Sequence, residues 1–402
     1  MTALRFTNAR VVCPVGGIRE GDLLIEDDTI VSALSGPAET IDCRGKTLAP
    51  AIVDLAAFAV DKAACRRGGI ARVALMPDQS PVLDDPGIVR RAATMGKPEL
   101  WVHPLAAATQ GLAGSDLAEM AITASAGARA VATGRRWIAD SGLMRKLLAY
   151  ARDCGLTVVT HAEDGGLTGE AVATDGLTAT LLGLASAPPV AEALAIARDL
   201  MLAEDTGARL HIRQVTTAAG FDLIRAARRR GVAVTCGITP AHLLLSDIAM
   251  SDFRTFAHLS PPLRCEDDRR ACIAALADGT IDVLSSGHDP RGPEEKRLPF
   301  ADSAPGAAGA TTLLALAIGL AETAGLDHAA LFALLAGNPA RILGLDTGTL
   351  AVGQPADLIL FDPGTPWQIT TQADGNTPFD GLPVQGKVLK LFKGGKDILP
   401  AA

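Results

Sequence analysis

A (β/α)8 TIM barrel carrying a small β domain built from both chain ends is the α/β fold that three observations predict. Between residues 48 and 344, eight short apolar, β-rich runs alternate with amphipathic helical stretches, the pattern of parallel βαβ units. Residues 1–47 and 345–402 instead read as strands punctuated by Gly and Pro, with no helical period. The 402 residues accommodate one barrel of about 250 residues plus such a satellite. The expected division is therefore a composite β domain from 1–47 and 345–402 around a barrel at 48–344. A doubly wound sheet is the competing architecture.

The elements follow in order. LRFTNARVV and DLLIEDDTIVSAL supply the N-terminal strands. The barrel runs are LAPAIVDLAAF (48–58), ARVALMP (71–77), ELWVHPLAA (99–107), ARAVAT (128–133), TVVTHAE (157–163), ARLHIRQVT (208–216), VAVTCGITP (232–240) and IDVLSSGH (281–288). Helical stretches include MRKLLAYARDCG, PVAEALAIARDLMLAEDTG, FDLIRAARRRG and ATTLLALAIGLAETAG, each followed or closed by the Gly that a helix C-terminus favours. TGTLAVGQPADLILFDP and PVQGKVLKLFKGG return to strand grammar and are expected to pair with the N-terminal strands.

Composition narrows the function. The chain is 48% hydrophobic and 20% charged with a formal charge of −8, which excludes a disordered or fibrous protein. Its acidity and the lack of any block of five like charges argue against nucleic acid or a membrane surface as partner. No apolar run is long enough to span a membrane and no leader pattern opens the chain, so a cytoplasmic protein is expected. Seven scattered cysteines without a CxxC pair argue against disulfides and a thiolate zinc site. Aromatics make up only 3%, so the core must be aliphatic.

In such a barrel the chemistry lies at the C-terminal strand ends. Those ends offer Asp54, then Thr133-Gly134, then His161 with Glu163 and Asp164, then His211, Arg213 and Gln214, and finally Ser286-Gly287-His288-Asp289. A catalytic zinc needs about three protein ligands. Strand alternation forbids His211 and Gln214 from sharing one face. His161 is left with His211 or His288 as candidate company, and an isolated histidine is more commonly a hydrogen-bonded structural residue than a ligand.

Ten segments, among them LAPAIVDL, HAEDGGLTGE, ARLHIRQVTT, GVAVTCGITPAHLLL, SPPLRCEDDRRACIAALADGTIDVL and GTLAVGQPADLILFDP, resemble in order and spacing those of dihydroorotases and hydantoinase-like relatives in the amidohydrolase superfamily. The resemblance spans essentially the whole chain. It implies metal-dependent ring-amide hydrolysis, in which zinc turns bound water into hydroxide near neutral pH. It also implies that the chemistry is lost here. The family's His-x-His pair aligns with Ala56 and Phe58, and its bridging carboxylate or carbamylated lysine with the stretch containing Thr133 and Gly134. Its strand-5 ligand is kept as His161, its strand-6 ligand aligns with Gln214, and its catalytic Asp aligns with Gly287, before His288. Among substrate contacts, the carboxylate-gripping Arg aligns with Val60, one Asn with Asp78 and another with Ser260, and the loop after Phe58 is shortened.

With His161 the sole retained ligand, the resemblance narrows to inactive dihydroorotase homologues that accompany aspartate carbamoyltransferase. It implies no catalytic residue, no cofactor, a homodimer, and the transcarbamoylase catalytic subunit as partner in pyrimidine biosynthesis. The competing readings are an active, zinc-dependent cyclic-amide hydrolase with a site rebuilt from His103, His161, His211 and His288; metal-free chemistry from Asp54, Asp78, Glu163 or Asp164; and a sensor whose Arg135, Arg136, His161 and Arg213 attract an anion. Against the last stands the expectation that arginines beside strand ends are solvated, and against the second that those carboxylates bond loop backbone.

Overall fold

The computed structural model describes residues 3–399 and closes eight parallel strands into a barrel. In chain order they are Ile52–Ala57, Ile70–Leu75, Trp101–Ala107, Ala130–Ala132, Val158–Thr160, Leu210–Ile212, Val234–Ile238 and Val283–Leu284. Each pairs with its sequence neighbour, so the strand order is the chain order. Seven fall inside a run read from the sequence, and the second begins one residue before its run, at Ile70.

The helices start and stop where their caps require. Asp140 accepts the Leu143 N–H to open Ser141–Asp153, and Thr217 accepts the Gly220 N–H to open Ala218–Arg229. Gly207 and Gly325 end Val190–Thr206 and Leu313–Ala324 at φ +69° and +70°, a backbone region glycine enters at little cost. Inside the barrel, alternate strand positions Val53, Leu55, Ala74, Met76, Leu105, Ala130, Ala132, Val159 and Val283 form one aliphatic cluster with Phe58 at its upper end. Among the described residues no helix is long and apolar enough to cross a membrane.

The first run divides in two. Thr47–Pro50 belongs not to the barrel but to the terminal sheet, and only Ile52–Ala57 enters the barrel. The joint is Ala51, whose N–H donates to the Asp357 carbonyl at 3.0 Å. That sheet unites the two ends of the chain: Thr47–Pro50 lies between Ala3–Cys13, which it meets in parallel, and Leu358–Gln368, which it meets antiparallel. Pro383–Lys393 and Gly17–Glu26 extend it on either side.

Strands one and eight share no regular ladder. Their seam is closed by the Phe58 N–H donating to the His288 carbonyl at 2.8 Å and by the fully buried Asp54 carboxylate, which accepts both the Ser286 N–H at 3.0 Å and the Ser286 hydroxyl. Asp54 thus stands in for the missing ladder carbonyls. Leaving the Ser286 donors unpaired costs about 1–3 kcal/mol each. We expect Asp54→Ala to lower the unfolding free energy by about 2–4 kcal/mol in denaturant titrations. Asp54→Asn should cost less, since its amide oxygen still accepts the Ser286 N–H; unchanged stability in the alanine variant would show that the seam is held by other contacts.

Candidate functional site

Five strand ends converge on the ring of Phe58. Pinned by its own N–H to strand eight, Phe58 is overlaid by the Arg135 guanidinium, 3.9 Å from the ring centroid, and approached by the Arg213 guanidinium at 5.2 Å. Both lie within the reach of cation–π attraction. Arg213 follows strand six, and its Nη2 donates to Nδ1 of His161, at the end of strand five, at 2.9 Å. The opposite nitrogen of that imidazole, Nε2, lies 3.3 Å from the Glu163 carboxylate. Arg135 follows strand four and forks onto Asp289 beyond strand eight, through Nη1 and, at 2.9 Å, Nη2. Arg291 shares that carboxylate at 2.9 Å.

Local backbone chemistry sets these positions. The Thr133 hydroxyl accepts the His161 N–H at 3.1 Å. Gly134 has φ +76°, and a β-carbon there would lie 2.7 Å from Oδ1 of Asp78, the atom that accepts the Arg135 N–H at 2.9 Å. Only glycine fits that turn. Asp78, which the resemblance aligns with a substrate-contacting Asn, shapes the Arg135 loop.

A second buried network backs the first. Arg264 donates through Nη2 to Glu163 at 2.7 Å, through Nε to the Thr216 hydroxyl at 2.9 Å and through Nη1 to the Thr174 hydroxyl at 3.1 Å. Fully buried Glu192 sits 3.4 Å from the same guanidinium and accepts the N–H groups of Thr216 and Thr217, both at 2.9 Å. Burial pushes the Glu163 carboxyl up, but the His161 hydrogen bond and the Arg264 charge prevail and hold it at about 2. Sequence reasoning missed Arg264, Glu192 and His242, though the tandem threonines at 216–217 were a signal for a carboxylate cap.

The residues present do not fit a zinc centre. Ala56 and Phe58 bring no donor atom, and both nitrogens of His161 face side chains, one of them a guanidinium whose charge repels a metal ion. The Gln214 amide donates to Nδ1 of His242 at 2.7 Å, and that imidazole donates onward from Nε2 to the Pro261 carbonyl at 2.9 Å. Position 287 has no room for a carboxylate: Gly287 sits at φ +56°, and a β-carbon would meet the Thr239 methyl at 2.7 Å. Among the described residues no three His, Cys, Asp or Glu side chains converge as a metal-binding group.

The other candidates are dispersed. His103 contacts Arg72, His211 contacts the Thr235 hydroxyl, and Nδ1 of His288 accepts from the N–H groups of Gly309 and Ala310. These three histidines do not gather with His161. Asp164 caps a short helix, as expected of a loop carboxylate, whereas Glu163 departs from that expectation by pairing with Arg264. Val60 is half-buried beside Asp61, which caps the helix Lys62–Arg67, and Ser260 is exposed at the mouth. Arg136 is exposed, but Arg135 and Arg213 are not the solvated groups expected: Arg213 is only 5% exposed. What remains open at the mouth is a cavity of about 50 Å³, against the roughly 300–1,000 Å³ of ordinary small-molecule pockets.

Comparison with known proteins adds to this geometry. The model of the amidohydrolase family matches residues 109–398. A protein named dihydroorotase from Syntrophotalea carbinolica is 38% identical over 97% of each chain. A dihydroorotase-like protein of Pseudomonas aeruginosa is 36% identical over 94% of this chain and 95% of its own. The L-hydantoinase (dihydropyrimidinase) structure from Arthrobacter aurescens superposes with a TM-score of 0.86 over 99% of this chain and 96% of that one, at 24% identity, a likeness of fold.

His242 gives the mouth an acid limit. Burial first, then the Arg264 charge, pushes it down to about 4 from an ordinary 6.5, against the opposing Pro261 carbonyl. The folded state therefore favours the neutral ring, and its contribution is complete above pH 6.5 and lost as pH falls toward 4. A depression of this size corresponds to about 3 kcal/mol. Unfolding free energies measured from pH 7 to 4 should fall more steeply for the parent than for His242→Gln; parallel curves would show that another group sets the acid limit.

Proposed function

Because the chain belongs to the amidohydrolase family and stands among its dihydroorotase-like members, we propose that it is a non-hydrolytic member, a structural subunit that assembles with aspartate carbamoyltransferase in pyrimidine biosynthesis. One observation carries the non-hydrolytic half: Phe58 and two guanidiniums fill the convergence of strand ends where the family's chemistry needs a metal-bound water. The general base that would take a proton from that water has no side chain at Gly287 and no room for one.

The assembly half rests on the resemblance, and the surface is compatible with it. Val190, Leu194 and Met201 lie on one stripe of the helix Val190–Thr206 and are each about half exposed or more. Leu177 and Leu181, 74% and 76% exposed, form a second apolar pair on a neighbouring segment. Exposed apolar side chains grouped on one helix face are of the kind found at interaction sites. In this reading the chain is a homodimer whose scaffold is kept while its hydrolytic site is closed.

A second reading has an observation in its favour: the relatives from Syntrophotalea carbinolica and Citrifermentans bemidjiense, the latter 36% identical, both bear the name dihydroorotase. Under it the chain hydrolyses a cyclic amide with an atypical centre. Co-expression with the transcarbamoylase of the same organism, purification through a tag on this chain, and assays of mass, zinc and both activities separate the two. We expect a zinc-free complex with transcarbamoylase activity and no dihydroorotate hydrolysis, even with added zinc. A zinc-loaded oligomer of this chain alone that opens the dihydroorotate ring would overturn the proposal.

A further inference from the structure

The cavity at the mouth is walled by Phe58, Arg135, Arg213, Gln214, Ser260 and Asp289, among others. Two of these are guanidiniums, and their positions differ. Arg135 has a bidentate carboxylate in Asp289. Arg213 does not: its hydrogen bond goes to the imidazole of His161, and its buried Nε has no partner. No carboxylate forms an ion pair with it. Asp289 serves Arg135 and Arg291, Glu163 serves Arg264, and Asp78 gives Oδ1 to the Arg135 N–H while its buried Oδ2 has no partner.

A buried guanidinium that lacks an ion-paired acceptor is costly, and the best complement to its planar fork is a planar oxyanion. We propose that this cavity is a binding site for a small planar oxyanion, a carboxylate or bicarbonate, held by Arg213 and bounded by Arg135 and the Phe58 ring. Size agrees with that class. About 50 Å³ is several times the roughly 10–15 Å³ that admits one water. It is far below the space a six-membered ring requires, so only a small acid, or the carboxylate end of a larger one, enters. Burial pushes the Arg213 guanidinium down only to about 10, so it carries its charge at neutral pH. The Asp78, Asp289 and Glu163 charges that face it oppose an anion, and the Arg135 charge favours one. With three carboxylates facing two guanidiniums, the expected affinity is weak, and the planar fork of Arg213 is what would select the anion.

The test uses the full chain alone, in thermal unfolding and calorimetric titration with sodium formate, acetate, bicarbonate and phosphate, against sodium chloride at matched ionic strength. The expected result is a saturable rise in midpoint with the planar anions that chloride does not reproduce, and a Kd at least tenfold weaker in Arg213→Gln. Because that variant can fail to fold, Ala307→Leu is measured beside it; it adds bulk at another lining position, keeps both guanidiniums in the chain, and should also abolish the saturable response. A stronger response to formate and acetate than to bicarbonate assigns the site to an organic carboxylate, and the reverse order to bicarbonate. A midpoint that follows ionic strength alone, a response to phosphate equal to that to formate, or one undiminished in Ala307→Leu would overturn the proposal and leave a water-filled cavity. Dihydroorotate hydrolysis would sink the non-hydrolytic reading without touching this result.

Discussion

The mouth of the barrel depends on one contact, the Arg213 guanidinium held between the His161 imidazole and the face of Phe58. A positive charge there draws the ends of strands one, five and six together, and Arg135 repeats the arrangement between strands one, four and eight through Phe58 and Asp289. The convergence of strand ends in a barrel favours a cation because carboxylates and ring nitrogens gather at it. In this chain the cations are part of the covalent structure. The geometry that a bound metal enforces by coordination is enforced here by hydrogen bonds and by the quadrupole of an aromatic ring.

Behind that layer, Arg264 lies between Glu163 and Glu192 with its remaining donors on two threonine hydroxyls. Removing such charges from water is expensive, so a buried triad of this kind contributes specificity of arrangement more than net stability. It fixes Glu163, which in turn faces His161, so Glu192 of the helix Val190–Thr206 acts on the mouth imidazole through Arg264. The two networks together leave little freedom at the strand ends and only a small cavity above them.

The barrel was legible because its signal is local. Each strand is a short apolar run and most of the longer helices end at a glycine or open on an Asp or Thr cap, and both features are complete within a dozen residues. The division of the first run at Ala51 was not legible, since Thr47–Pro50 and Ile52–Ala57 are equally apolar and only their partners differ. At the mouth, absences could be read and replacements could not. Against the resemblance, Ala56, Phe58 and Gly287 lack the ligating or basic group and Gln214 replaces an imidazole, each at a position defined by its own segment. The Arg135–Asp289 pair spans 154 residues, and nothing near either residue points to the other. Arg213 looked like a solvated strand-end arginine because its burial depends on Phe58 and His161, which approach from other strands. Glu192 gave no local sign of burial, because the threonines that bond its carboxylate lie some two dozen residues away.

The strand Thr47–Pro50 lies between partners from opposite ends of the chain, and this orders events in time. Its parallel partner, Ala3–Cys13, leaves the ribosome first, whereas its antiparallel partner, Leu358–Gln368, emerges only after the eight barrel strands. During synthesis one edge of the young sheet therefore stays unpaired while the whole barrel is made, and exposed strand edges of that kind invite pairing with other chains. Closing the sheet joins segments about three hundred residues apart, yet the entropic cost of such a loop grows only with the logarithm of its length. The delay, more than the free energy of closure, is the burden this topology places on the nascent chain, and it makes the last strands to be translated the ones that seal the first.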